Sequence, residues 1–163
     1  IGNSLCETER LDTCLEILNK AKTKGVQIHL PIDAIAADRF AADANTQIEP
    51  SNAISEDRMG LDIGPKAIAD FEAVLLQSKT ILWNGPMGVF EMPAFENGTK
   101  SMALAVASAT KNGAFSLIGG GDSAAAVQKF ELSSQVSYVS TGGGALLEYF
   151  EGKVLPGVEA LEA

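Results

Sequence analysis

The chain has 163 residues, enough for one domain with its own core, and 46% of them are hydrophobic, which excludes a disordered or fibrous protein. With 12 basic and 21 acidic residues the net charge is −9, which argues against a nucleic-acid partner because such binding depends on Lys and Arg. No apolar run approaches the roughly 20 residues that span a membrane, and the first ten residues do not resemble a secretory signal.

The chain begins without Met, as expected of a processed chain or a fragment. Cys6 and Cys14 lack the spacing of a metal site, so reduced thiols in a cytoplasmic protein are expected.

The first third of the chain predicts a helix, a strand and a segment left open. Apolar residues at three- and four-residue spacing predict an amphipathic helix over residues 7–24, which Gly25 ends. Val26 to Leu30 predict a short strand that ends at Pro31, with His29 as a structural residue rather than a ligand. Residues 33–58 are rich in Ala, Asp and Asn, and both short strands and loop are compatible with them.

The rest of the chain predicts alternating helices and strands. Met59 to Pro65 (MGLDIGP) predict a turn-rich entry into a helix that begins at Pro65 and ends near Gln77. Thr99 is the expected N-cap of the next helix. Further strands are predicted at residues 80–83, 115–118 and 137–140, and further helices after Ser123 and at residues 145–151. The fold class is therefore α/β: a three-layer αβα, Rossmann-like parallel sheet of about four strands, expected to be incomplete.

Eight of the 16 glycines fall in three clusters, each directly after a predicted strand. We call them the first glycine turn (Gly85 and Gly88), the central glycine turn (Gly119 to Gly121) and the last glycine turn (Gly142 to Gly144). A single glycine turn is equally compatible with a purely structural role. Because the strands of a parallel sheet end at a common edge, three such turns instead predict one site for a ligand that carries phosphate.

Three other residues near these turns have two possible roles each. Asp122 is either a helix N-cap or a Mg²⁺ contact, and Ser123 either bonds phosphate or caps the helix. Glu91 either holds ribose hydroxyls or is an exposed surface residue, whereas Trp83 is expected in the core.

A dinucleotide-binding module of a flavin or NAD(P) oxidoreductase is the alternative. Gly119, Gly121 and Ala124 match its G-x-G-x-x-A fingerprint between a strand and a helix. That fingerprint expects an acid at the end of the following strand, where this chain has Ser140 to Gly142, and there is no redox C-x-x-C.

Six segments in order resemble the phosphoglycerate kinase family. They are LPIDAIAADRFAADA (30–44), MGLDIGP (59–65), WNGPMGVFE (83–91), IGGGDSAAAV (118–127), STGGGALLE (140–148) and KVLPGVEAL (153–161). The resemblance covers the whole chain but only the latter part of the family's carboxyl-terminal, nucleotide-binding domain. It implies that residues 1–163 form one partial domain of a two-domain, monomeric, cytoplasmic glycolytic kinase. That kinase transfers a phosphoryl group between 1,3-bisphosphoglycerate and ADP to give 3-phosphoglycerate and ATP.

The resemblance also implies roles for single residues. Gly60 and Leu61 would lie by the adenine, Asn84, Pro86 and Val89 would flank the nucleoside, and Glu91 would take the ribose hydroxyls. Gly120, Gly121, Asp122 and Ser123 would hold the phosphates, with Mg²⁺ at Asp122. The amides of Gly142, Gly143 and Gly144 would face the transferring phosphoryl group and would therefore be catalytic.

The family's catalytic lysine, its arginine at the transferring group and its basic phosphoglycerate patch match no residue of this chain. Because phosphoryl transfer depends on cations that neutralise developing charge, we expect the chain alone to bind nucleotide weakly and to show no turnover. A non-catalytic adenylate-binding domain is a third hypothesis.

Overall fold

The computed structural model describes residues 1–140 and 142–162, so Thr141 and Ala163 lie outside the described residues. Within them, six α-helices are joined by strands and by three short 3₁₀ turns. The helices are α1 (Leu11–Lys24), α2 (Pro65–Gln77), α3 (Asn97–Lys111), α4 (Gly121–Lys129), α5 (Gly143–Phe150) and α6 (Pro156–Glu162). No helix in the described part of the chain is long and apolar enough to cross a membrane.

The strands form two sheets of three strands each within the described residues. The antiparallel sheet has the order β2-β1-β3, and the parallel sheet has the order β4-β5-β6. Their bounds are β1 (Asp33–Ala37), β2 (Thr46–Pro50), β3 (Met59–Ile63), β4 (Thr80–Asn84), β5 (Phe115–Gly119) and β6 (Tyr138–Val139).

The parallel sheet confirms the predicted α/β class. Its buried side chains, among them Ile81, Trp83 and Ile118, pack with Met102 and Val106 of α3 in one core. Trp83 therefore lies in the core, as expected from its position at a strand end. This packing fixes the carboxyl ends of β4 and β5 side by side, with Asn84 opposite Gly119.

The predicted strand at Val26 to Leu30 is wrong. The segment is not assigned to a strand, and the exposed fractions of Val26 and Leu30 are 58% and 63%. A strand needs a neighbour for its backbone hydrogen bonds, and no described strand pairs with this segment. The described parallel sheet therefore has three strands rather than about four. Helix α1 is confirmed, but none of its residues is buried, so its apolar stripe faces outwards.

The antiparallel sheet resolves the segment that the sequence left open. Residues 33–58 supply β1 and β2, and Met59–Ile63 is a strand rather than a turn-rich helix entry. Ala, Gly and Asp have low intrinsic strand propensity, so the local pattern did not indicate these strands. Pairing between distant parts of the chain, with a register shift between Ile35 and Ala36, provides their hydrogen bonds.

Two buried carboxylates of this sheet accept hydrogen bonds from the first amides of helices. Asp33 accepts from the amides of Lys66 and Ala67 at 3.1 and 2.8 Å, in the first turn of α2. Pro65 begins that helix, as predicted. Asp62 accepts from the amide of Gly98 in the first turn of α3 at 2.7 Å.

The predicted N-cap at Thr99 is wrong. Helix α3 begins at Asn97, and Thr99 is a fully buried residue within it. The carboxylate of Asp62 accepts the hydrogen bond from the Gly98 amide in the first turn of α3. Asp62 lies 36 residues earlier in the chain than Gly98, so no local sequence pattern predicts this contact.

We expect Asp33→Ala to lower the free energy of unfolding by about 1–3 kcal/mol, because two amides at the start of α2 would lose their acceptor inside the protein. Asp70→Ala on the exposed face of the same helix is the matched control, with an expected change within about 0.5 kcal/mol. Urea unfolding followed by circular dichroism measures both, and equal effects would contradict the capping role of Asp33.

Candidate functional site

The three glycine turns meet at the carboxyl edge of the parallel sheet. A Cβ added to Gly143 would lie 2.6 Å from the Cα of Gly120, so the last and central turns are in backbone contact. A Cβ on Gly120 would meet the side-chain oxygen of Asn84 at the end of β4. Gly120 has φ +90°, a conformation that favours glycine. The turns that the sequence predicted to share one edge therefore contact one another.

Two helices begin at this edge without a side-chain cap. Gly120 and Gly142 are the N-cap residues of α4 and α5, and neither glycine has a side chain to cap its helix. The amide of Gly142 itself donates a hydrogen bond of 3.3 Å to the hydroxyl oxygen of Ser140. Among the described residues, no hydrogen bond involves the amides of Gly121 and Asp122 of α4, or of Gly143 and Gly144 of α5. Such amides and the partial positive charge of a helix start attract anions. This arrangement contrasts with α2 and α3, whose first turns are closed by Asp33 and Asp62.

Asp122 is not an N-cap. It is the second residue of α4, one position beyond Gly121, and it is exposed. Its carboxylate has no hydrogen bond or ion pair within the described residues. A carboxylate in the first turn of a helix is favourably placed relative to the helix dipole, and this one is accessible to a ligand.

Ser123 lies below the surface of the edge rather than on it. It is fully buried, and its hydroxyl oxygen accepts a hydrogen bond of 2.6 Å from the amide of Gly85. The side chain therefore connects the start of α4 to the first glycine turn.

A groove of about 740 Å³ lies between β3 and the segment 86–89 that follows β4. Gly60 and Leu61 line one wall, and Pro86 and Val89 line the other. The amide of Val89 donates a hydrogen bond of 2.9 Å to the carbonyl oxygen of Leu61, which joins the two walls. Four of the residues assigned by resemblance to the nucleoside are therefore brought together in one groove.

The other two residues assigned to the nucleoside do not line this groove. The side chain of Asn84 packs against Gly120, and Glu91 is exposed on the loop that follows the groove. A neighbouring contact anchors that loop to α4: the ammonium group of Lys129 donates to the carbonyl oxygen of Phe90 at 2.5 Å and pairs with Glu96 at 2.6 Å.

Asp62 is a feature of the groove that the sequence did not single out. It lines the groove and is 5% exposed, and a Cβ on Gly88 or on Gly98 would collide with its carboxylate. Burial raises the pKa of Asp62 to about 6, although the hydrogen bonds from Gly98 and Ile63 act in the opposite direction. The motif MGLDIGP contains Asp62, but a single acidic residue in a short strand does not indicate whether its side chain is buried or exposed.

Within residues 1–140 and 142–162, no basic side chain forms a hydrogen bond or ion pair with a glycine of the three turns. The hydrogen-bonded or ion-paired basic side chains of this part are Arg39, Arg58, Lys129 and Lys153, and their partners lie elsewhere. No described group of three or more His, Cys, Asp or Glu side chains could hold a metal ion by itself.

Comparison with known proteins identifies one family. Its description is phosphoglycerate kinase, and its sequence profile matches residues 1–153. The phosphoglycerate kinase of Mycobacteroides abscessus is 55% identical over 163 residues, which cover 99% of this chain and 39% of that protein. That of Porphyromonas gingivalis is 55% identical over 162 residues, with 99% and 39% coverage.

Solved structures agree with the sequence comparison. The structure of phosphoglycerate kinase from Coxiella burnetii superposes with a TM-score of 0.91 at 46% identity, covering 98% of this chain and 40% of that one. The enzyme from Pyrococcus horikoshii gives 0.78 at 31% identity, with 94% and 36% coverage. The chain thus spans about two fifths of the length of the relatives it matches.

Asp62 predicts a pH dependence of stability. Because its pKa of about 6 in the folded chain lies above its ordinary 3.8, the folded state binds the proton more tightly than the unfolded state. The free energy of unfolding should therefore rise by about 1.4 kcal/mol as the pH falls from about 7 to about 5. Hydrogen bonds from Ser55 lower the pKa of Glu49, so Glu49 should lose its contribution to stability below pH 5 rather than between pH 7 and pH 5.

Asp62→Asn should remove this rise, because the amide does not titrate. Urea unfolding of both proteins at the two pH values gives the difference in stability directly. A difference between the two proteins that stays constant from pH 7 to pH 5 would show that Asp62 is ionised throughout.

The backbone contact between the central and last glycine turns predicts opposite effects for neighbouring substitutions. Gly143→Ala would drive a methyl group into the Cα of Gly120 and should destabilise the chain by about 1–3 kcal/mol. Gly144→Ala meets open space within α5 and should stabilise it by about 0.5–1 kcal/mol. Urea unfolding of both variants tests the contact, and a Gly143→Ala variant as stable as Gly144→Ala would exclude it.

Proposed function

Because the chain belongs to the phosphoglycerate kinase family, we propose that it forms the nucleotide-binding, carboxyl-terminal part of a two-domain enzyme. That enzyme transfers a phosphoryl group between 1,3-bisphosphoglycerate and ADP. An oxygen of the ADP β-phosphate attacks the phosphorus of the acyl phosphate, the bond from phosphorus to the carboxyl oxygen breaks, and 3-phosphoglycerate leaves as ATP forms. The proposal goes beyond the family assignment, since the relatives are more than twice as long as this chain.

One observation carries the proposal: two helix starts in backbone contact, at Gly120 and Gly143, lie on the same sheet edge as segment 86–89, which lines a groove of about 740 Å³. The walls of this groove carry Leu61, Pro86 and Val89, apolar side chains against which a nucleobase would pack. The starts of α4 and α5 offer backbone amides to an anion. A nucleoside diphosphate combines both properties in one ligand.

The residues then divide by the part of the nucleotide they face. Gly60, Leu61, Pro86 and Val89 form the walls for the nucleoside, with Asn84 and Glu91 towards the ribose. Gly120, Gly121 and Asp122 face the phosphates of ADP. The amides of Gly142, Gly143 and Gly144 stabilise negative charge on the transferring phosphoryl group, which is the catalytic contribution of this chain. Ser123, assigned to the phosphates by resemblance, lies next to them.

The residues present fit a Mg²⁺ ion that arrives with the nucleotide. Mg²⁺ is commonly held by one or two carboxylates together with phosphate oxygens and waters, and Asp122 supplies one accessible carboxylate beside the proposed phosphate position. Mg²⁺ supplies positive charge that offsets the charge of the phosphates. Asp122 would orient that ion, while the amides of α4 and α5 bind the phosphate oxygens directly.

This chain supplies positioning but little positive charge. No described Lys or Arg side chain forms a hydrogen bond or ion pair with the glycine turns, and transfer depends on cations that neutralise the moving group. We therefore propose that these 163 residues alone bind nucleotide weakly and do not turn over, and that phosphoglycerate binds to another domain of the full-length, cytoplasmic and monomeric enzyme.

The oxidoreductase alternative is not favoured. Gly119 ends β5, and Gly121 and Ala124 lie in the first turn of α4, as the dinucleotide fingerprint requires. The expected acid position after β6 falls at Ser140 to Gly142, a sequence without a carboxylate, and the family match belongs to a kinase.

Two measurements test the proposal. In the full-length protein, a coupled assay with ADP and 1,3-bisphosphoglycerate should detect ATP formation, and its absence would refute the kinase assignment.

For the site, Asp122→Ala should weaken MgADP binding about tenfold in calorimetry but change metal-free ADP binding less than about threefold. Asp70→Ala is the control and should change neither. Equal losses with and without Mg²⁺ would exclude Asp122 as the metal contact.

A further inference from the structure

The loop that carries Glu91 is held by two hydrogen bonds, one on each side of that residue. The ammonium group of Lys129 donates to the carbonyl oxygen of Phe90 at 2.5 Å, and the amide of Met92 donates to the carbonyl oxygen of Val89 at 3.0 Å. Because each peptide group is planar, these bonds fix the peptide planes that precede and follow the Cα of Glu91. Together they determine the direction in which the exposed Glu91 side chain leaves the loop.

Of these two bonds, only the one from Lys129 comes from a distant part of the chain. The bond between Met92 and Val89 closes a local turn, whereas Lys129 follows Phe90 by 39 residues and ends α4. A local turn moves with its loop, so it does not place the loop relative to the rest of the site. The bond from Lys129 ties the loop to the helix whose first turn carries Asp122.

The Lys129 side chain is itself held by neighbouring groups. Its ammonium group pairs with the carboxylate of Glu96 at 2.6 Å and lies 6.0 and 5.7 Å from the ring centroids of Phe90 and Phe130. Phe90 is buried, so its ring is a fixed surface for the cation. The carboxyl end of α4 also favours positive charge. These contacts keep the ammonium group at the carbonyl oxygen of Phe90.

We propose that Lys129 is a positioning residue of the nucleotide site, which acts on the ribose by orienting Glu91. The proposal rests on the proposed function for the identity of the ligand and for the ribose hydroxyls as partners of Glu91. Lys129 acts through the peptide group that joins Phe90 to Glu91. Helix α4 would then serve both ends of the nucleotide, since its first turn faces the phosphates and its last residue sets the ribose contact.

Comparison of ADP with 2′,3′-dideoxy-ADP, which lacks both ribose hydroxyls, isolates the ribose contact. Lys129→Met keeps an unbranched side chain and removes the ammonium group. In the full-length protein it should weaken ADP about three- to tenfold in calorimetry, but dideoxy-ADP less than about twofold. The ratio of the dideoxy-ADP Kd to the ADP Kd should therefore fall towards that of Glu91→Ala. An unchanged ratio would overturn the proposal, because a general disturbance of the fold weakens both ligands alike.

Lys100 provides a matched control for the loss of positive charge. Its ammonium group lies 6.0 Å from the centroid of the same Phe130 ring and forms no hydrogen bond or ion pair among the described residues. Lys100→Met should leave the ratio of the two Kd values within about twofold of the parent ratio. An equal fall in Lys100→Met and Lys129→Met would overturn the proposal, because it would follow from the lost charge and not from the bond to Phe90.

A double variant tests whether Lys129 acts through Glu91. In a Glu91→Ala background, Lys129→Met should change the ratio no further, because the contact that it orients is already absent. A further fall in the double variant would overturn the proposal. If Lys129→Met does not fold, Glu96→Ala decides the question, since it removes the carboxylate that holds the ammonium group. It should lower the ratio about twofold, and an unchanged ratio there would overturn the proposal.

The parent protein separates failure of this proposal from failure of the proposed function. A parent protein that binds ADP and dideoxy-ADP equally well, or binds neither, would refute the ribose contact of Glu91, and the positioning role of Lys129 would fail with it. A parent protein that prefers ADP, together with a Lys129→Met variant that keeps the same preference, would refute the positioning role alone.

Discussion

The first amides of a helix need hydrogen-bond acceptors. In this chain, α2 and α3 find them in side chains of the antiparallel sheet, whereas α4 and α5 at the candidate site do not. Helices α2 and α3 direct their first turns at Asp33 and Asp62, two buried carboxylates of the antiparallel sheet. Helices α4 and α5 begin at glycines and have no side-chain cap. The first pair is closed by the protein, whereas the amides of Gly121, Asp122, Gly143 and Gly144 have no acceptor among the described residues.

The antiparallel sheet thereby does more than extend the fold. Asp33 and Asp62 fasten it to two helices, and the carbonyl oxygen of Leu61 fastens it to the loop after β4. One wall of the groove is thus tied to the other by hydrogen bonds within the protein. Asp62 carries an energetic cost in this position, since burial opposes its ionised form.

The parallel sheet and its glycine turns could be predicted from the sequence because their signals are local. Apolar runs followed by Gly119 to Gly121 or Gly142 to Gly144 mark where strand gives way to helix, and parallel strands end at one edge. The antiparallel sheet, the cap of α3 and the true partner of Ser123 could not be predicted this way. Each depends on contacts between residues far apart in the chain, such as Asp62 with Gly98. Val26 to Leu30 have the composition of a strand but no described strand beside them to pair with, and they do not form one.

The contact between Gly120 and Gly143 has an electrostatic consequence. It sets the starts of α4 and α5 side by side, and both carry partial positive charge, so the two ends repel each other when nothing lies between them. An anion bound at this point would remove that repulsion and would accept hydrogen bonds from the helix-start amides that have no acceptor among the described residues. A bound phosphate would then stabilise the carboxyl edge of the parallel sheet, and the stability of that edge would increase with occupancy of the site.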